Sequence, residues 1–143
     1  SGICSIISVR DAMGLKTKVV GVVSTEAQTA KLSVEAGRLI ETNSANTFAD
    51  GMAVRIPVAD AYDIYAKGAE RMVAVNEYEI AEAIRLYYTA THNLAEGAGA
   101  AALAALMQER EAQQGKRVAV ILSGGNIDMD VFQTVLRGET PQV

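Results

Sequence analysis

The sequence holds no tryptophan, one histidine, one cysteine, two prolines and two phenylalanines. Each scarcity removes a class of function. With His92 alone, a histidine-based metal cluster cannot be assembled. With Cys4 alone, no internal disulfide framework exists, and the usage fits a reducing cytoplasmic compartment. Aromatic residues make up 5% of the chain, too few for base-stacking or sugar-stacking platforms. Charge of one sign is not concentrated either. Thirteen basic residues are scattered against seventeen acidic ones, for a formal net charge of −4, so no nucleic-acid partner is expected. No apolar run approaches the length of about twenty residues that crosses a membrane, and no basic-then-apolar signal peptide opens the chain. A membrane partner is therefore not expected.

Apolar residues are plentiful. They form 50% of 143 residues, enough to fill the core of one α/β domain spanning residues 1–143. Helical spacing runs through 3–13 and stops at Gly14. Residues 17–24 ("TKVVGVVS") read as a buried strand, and a helix from 26 to 36 closes at Gly37. A short extended piece and a polar loop lead to Asp50-Gly51. Pro57 introduces a helix at 58–66. A strand at 71–75 meets Asn76 and Glu79, spaced as a capping box for a helix from 77 to about 92. His92, near that helix's C-terminus, suits the dipole. Another helix begins in "AEGAGAA", and the chain finishes with a strand at 117–122 and a helix from about 128 to 137. Strands alternating with helices predict a three-layer, mostly parallel sheet with helices on both faces. The tyrosines at helical spacing (Tyr62, Tyr65, Tyr87, Tyr88) read as packing residues.

Four stretches could carry chemistry. Ser1-Gly2 stands directly before a helix, where backbone N–H groups attract phosphate, although a cloning remnant explains the pair equally well. The chain enters an apolar segment at once and without methionine, so it is expected to be part of something longer. "TFADG" (47–51) leaves a polar loop through an Asp-Gly turn. In "AEGAGAA" (95–101) Glu96 precedes a glycine-rich helix start of low propensity, which tight packing or a ligand must offset. Glu96 is a candidate functional carboxylate, with plain solvent exposure the alternative. Finally, the apolar run 118–122 ends in Ser123-Gly124-Gly125-Asn126. That pattern fits a parallel strand buried on both faces, with compact polar groups at the carboxyl end where α/β sheets bind ligands. The competing reading is a simple turn into the next helix.

Taken in order, these stretches resemble the pyridoxal-phosphate enzymes of fold type II, in particular the serine/threonine dehydratase (threonine ammonia-lyase) group. That group shows a glycine-rich phosphate loop, a T-x-A-D-G loop, an E-G-A-G-A helix start and an S-G-G-N strand end. The resemblance covers nearly the whole chain and corresponds to the C-terminal half of such an enzyme. It implies pyridoxal 5'-phosphate as cofactor, with Ser1 and Gly2 closing on the phosphate and Gly51 and Glu96 beside the ring. Ser123 would meet the pyridine nitrogen, Gly124 and Gly125 would give the ring room, and Asn126 would fix the turn. It further implies deamination of a β-hydroxy amino acid to a 2-oxo acid, and a homo-oligomer that needs the N-terminal half.

Two departures qualify the resemblance. None of Lys16, Lys18, Lys31, Lys67 or Lys116 has the S-x-K-type setting of the group's cofactor-anchoring lysine, so no catalytic residue is assigned in this chain. Metal-activated members bind a cation after the second strand through carboxylates. Val23, Ala27 and Thr29 stand at those places, and no metal is expected there. An amino-acid racemase of the same fold, or a non-catalytic α/β module binding a phosphorylated small molecule, are the alternatives.

Overall fold

The computed structural model describes residues 2–143. Its sheet is a parallel ladder of β1 (Val20–Ser24) and β2 (Arg71–Val75), with Val22 opposite Val73 and Ser24 opposite Val75. Successive side chains of a strand point to opposite faces, and the sequence uses that alternation. Val20, Val22, Val73 and Val75 turn toward one apolar cluster, which α4 (Glu77–Thr91) and α5 (Gly97–Gln108) fill with Ile80, Ile84, Ala100 and Ala104. Val19 belongs to a second cluster with Ile7 and Tyr65, supplied by α1 (Gly2–Ala12) and α3 (Ala59–Gly68), and α2 (Thr29–Ala36) adds Ala30 and Val34. Helices thus cover both faces of a parallel pair. The molecule has the expected α/β layering.

Local chemistry explains the boundaries. The Asn76 side chain accepts from the Glu79 backbone and Glu79 returns the bond to Asn76 N, so the capping box opens α4 where the sequence placed it. His92 ends α4 in the left-handed region (φ 56°), its N–H donating to Tyr88 O, a role more often taken by glycine. A last helix, α6 (Met129–Leu136), packs on α4, with Phe132 edge-on to Tyr88 at a ring-centroid distance of 5.3 Å.

One expected element is not a strand. Residues 117–122 join no ladder among the described residues, and Val118 and Ile121 are 46% and 54% exposed. A strand needs a neighbour whose N–H and C=O groups match its own, and neither β1 nor β2 pairs with this segment. The extended piece expected after Gly37 likewise has no ladder partner, though Thr42 N donates to Arg55 O across that loop.

Candidate functional site

The low-propensity start of α5 is where the chain's glycine-rich stretches meet. A β-carbon on Gly97 would lie 2.7 Å from Ala49 Cα, and one on Gly99 would lie 2.3 Å from Gly124 O. Both obstacles are main chain or its immediate substituent, and neither can swing aside. Glycine at these two places therefore lets "TFADG" and "SGGN" lie directly against the first turn of α5. Close packing offsets the cost of about 1 kcal/mol per helical glycine.

Glu96 is the N-cap residue of α5, with extended backbone (φ −80°, ψ 171°), yet its carboxylate does not cap its own helix. Instead Oε2 accepts from Asn126 N at 3.0 Å, while Glu96 N donates to Gly124 O at 3.1 Å. The segment just after Ser123 is thereby clamped to the helix start. Gly51 lies in the 3-10 turn Asp50–Met52. A β-carbon on it would stand 2.9 Å from Ala98 Cβ and 4.0 Å from Glu96 Oε1.

Of the residues singled out in the sequence, Gly51, Glu96, Gly124, Gly125 and Asn126 converge on this spot, with Ser123 adjoining them. Ser123 is exposed, and its hydroxyl makes no hydrogen bond among the described residues. Gly124 and Gly125 are closely backed by the chain around Glu96. Side chains there would strike Glu96 Oε1 and Leu94 O, both at 2.5 Å, so these glycines admit protein atoms as neighbours. Gly2 begins α1 and is exposed, with nothing within 4 Å of where its Cβ would stand, and the geometry does not tie it to the cluster. Ser1 lies outside the described residues.

Sequence reasoning missed one participant. Glu77, the first residue of α4, accepts from Ser24 Oγ at 2.7 Å, from Thr47 Oγ1 at 2.8 Å and from Phe48 N at 2.9 Å. It joins the carboxyl end of β1 to the "TFADG" loop. The threonine of T-x-A-D-G and an acidic residue just past β2 were the available signals, but nothing local links positions so far apart.

The chain is similar to known proteins along most of its length. The chain is 36% identical over 136 residues to an L-threonine ammonia-lyase of Thermotoga maritima, covering 94% of this chain and 34% of that protein. An L-threonine ammonia-lyase of Geobacter sulfurreducens is 35% identical over 119 residues, covering 83% of this chain and 30% of its own length. Among solved structures, a threonine deaminase of T.th. superposes with a TM-score of 0.82 at 32% identity, over 89% of this chain and 46% of that one. The threonine deaminase isoform 2 of Solanum lycopersicum gives 0.86 at 27% identity, over 95% and 38% respectively. The chain thus spans about a third of the length of the ammonia-lyases it resembles. Residues 1–124 match the family described as pyridoxal-phosphate dependent enzyme, and the chain belongs to that family.

Proposed function

We propose that residues 1–143 form one α/β unit, the C-terminal part of the cofactor domain of an ammonia-lyase that deaminates threonine or serine to a 2-oxo acid. The observation that carries this reading is the convergence of Gly51, Glu96 and the "SGGN" segment at the start of α5. The donor set fits pyridoxal phosphate. An exposed hydroxyl with no partner among the described residues, Ser123, can face an aromatic nitrogen, and the backbone of Gly51 beside Glu96 can pass along a flat ring. When bound, the cofactor draws electron density from the amino acid's α-carbon, which makes loss of the α-proton and the β-hydroxyl feasible.

The chain's own residues would tune that environment. A serine hydroxyl is neutral and does not hold a ring nitrogen protonated as a carboxylate would, which suits an elimination needing only a moderate electron sink. Glu96 keeps Asn126 N engaged and so holds the "SGGN" segment at a fixed distance from α5. Gly2, with Ser1, would close on the phosphate at the head of α1. The cofactor-anchoring lysine, the substrate-carboxylate contacts and any subunit interface would come from the portion of the relatives' length not matched here. A cytoplasmic setting fits the single cysteine, and no helix among the described residues is long and apolar enough to cross a membrane.

The test is the deamination of threonine and serine by the full-length protein carrying this chain, monitored by release of 2-oxobutanoate or pyruvate. Turnover that depends on added pyridoxal phosphate supports the reading. A protein that binds the cofactor but leaves both amino acids untouched would limit the reading to cofactor binding.

A further inference from the structure

We propose that Glu77 is a positioning residue for the cofactor face, acting through the "TFADG" loop; this rests on the reading above. The bland explanation for an acidic residue in the first turn of α4 is complementarity with the helix dipole. That explanation leaves its contacts unaccounted for. The helix already has a complete capping box in Asn76 and Glu79. Glu77 reaches away from α4, to the buried Ser24 at the end of β1 and the buried Thr47.

The polarity of the network is fixed. Ser24 Oγ accepts from Glu26 N at 3.0 Å, and Thr47 Oγ1 accepts from Ala49 N at 3.1 Å. Each hydroxyl still has its single proton for Glu77, whose carboxylate has none to offer in return, and Phe48 N can only donate. The donors fall on both carboxylate oxygens. Ser24 meets Oε1, Phe48 meets Oε2, and Thr47 reaches either, at 2.8 and 3.0 Å. An acceptor-only carboxylate satisfies this set. A glutamine must aim its NH₂ at Ser24 or at Phe48, whichever way it is turned.

The consequence runs along the loop without a gap. Thr47 Oγ1 holds Ala49 N, Ala49 O accepts from Met52 N at 2.8 Å to close the 3-10 turn, and Ala49 packs on Gly97. Inside that turn Gly51 backs onto Ala98 and Glu96, and Glu96 grips Asn126 N. Displacing Phe48 from the carboxylate would move Gly51 relative to Glu96 and Ser123, the three groups assigned to the ring. Glu77 itself touches none of them.

The experiment uses the full-length, cofactor-loaded protein and compares wild type with Glu77→Gln, Thr47→Val and Thr47→Ser. Three properties are read: kcat and KM for threonine, the affinity for pyridoxal phosphate, and the absorption and fluorescence of the bound cofactor. Hydrogen bonds to a charged group are strong enough that Glu77→Gln should lower kcat about tenfold or more, with a smaller change in KM. The cofactor spectrum should shift in the same variant. Thr47→Val should move both readouts in the same direction, and Thr47→Ser, which keeps the hydroxyl, should restore them. If Glu77→Gln does not fold, the Thr47 pair decides by the same criteria. Variants that lose only melting temperature, with wild-type spectrum and kcat, would overturn the proposal. If wild type itself neither binds the cofactor nor deaminates threonine, the functional reading fails first and the positioning role falls with it.

Discussion

At the scale of single residues, two kinds of position can be separated by substitution. Gly99→Ala would place a β-carbon 2.3 Å from the backbone oxygen of Gly124, and neither atom can swing aside. Overpacking of this kind costs about 1–3 kcal/mol, so a clear fall in melting temperature and loss of bound cofactor are expected. Gly2→Ala meets open space and should leave the melting temperature unchanged. Equal losses for the two variants would show that the helix–loop contact is not tight. Ser123→Ala removes a hydroxyl that bonds to nothing else among the described residues, so the fold should be unaffected. In the full-length protein its loss should cost about 0.5–1.5 kcal/mol of catalysis, roughly two- to tenfold in kcat/KM, with cofactor retained. Wild-type kinetics in this variant would reduce Ser123 to a turn residue.

At the scale of elements, Asn76→Ala should cost about 1 kcal/mol, because it removes the side-chain oxygen that accepts from Glu79 N, while the backbone N–H of residue 76 can still donate to Glu79. A denaturant or thermal melt reads this directly. The same helix shows why part of the fold could be read from residues alone. A cap is chemistry within four positions, and β2 ends where Asn76 begins, so both boundaries were local facts. The segment 117–122 was different. An apolar run reports which residues prefer burial, whereas a strand also needs a partner, and partners are distant in sequence. Likewise the glycines and Glu96 of the site could be picked out by motif. The Glu77 network could not, because Ser24, Thr47 and Glu77 meet only after β1 and β2 pair. Hydrogen exchange separates the two cases. Amides of β1 and β2 should be protected in this chain while those of 117–122 exchange fast, and the latter should gain protection in the full-length protein. Protection of 117–122 in the isolated chain would contradict its unpaired state.

At the scale of the whole molecule, Arg71 at the start of β2 binds Glu109 just beyond α5, its Nε donating to Oε1 at 3.1 Å and a second bond reaching Oε2. The hydrogen bond from Arg71, ahead of its charge, holds the Glu109 carboxyl below the usual carboxylate range, although partial burial opposes this. A folded-state value below the unfolded one means that the contribution is complete above the unfolded pKa of about 4.3. It is lost as pH falls through the lower, folded value. Both side chains are part-exposed, so the pair is worth only about 0.2–1 kcal/mol. Glu109→Gln should therefore melt slightly below wild type at neutral pH, and the difference should vanish in acid. A constant deficit down to about pH 3, below the ordinary carboxylate range, would point to lost packing instead. At the metal position that the resemblance implies, Val23, Ala27 and Thr29 supply no carboxylate, and Thr29 is buried with its hydroxyl donating to Val54 O at 2.7 Å. Millimolar magnesium or a chelator should change neither stability nor activity. A rise in melting temperature with magnesium, abolished by Thr29→Ala, would show that a cation binds there after all.

The central claim is that the "SGGN" segment clamped by Glu96 is the face on which the cofactor ring lies. A crystal structure of the full-length protein loaded with pyridoxal phosphate tests it most directly. The expected result places the pyridine nitrogen within hydrogen-bond reach of Ser123 Oγ, about 2.6–3.2 Å, with the ring passing Gly51 and Asn126 N still held by Glu96. A ring bound elsewhere, with Ser123 facing solvent and the Glu96 clamp remote from it, would contradict the claim.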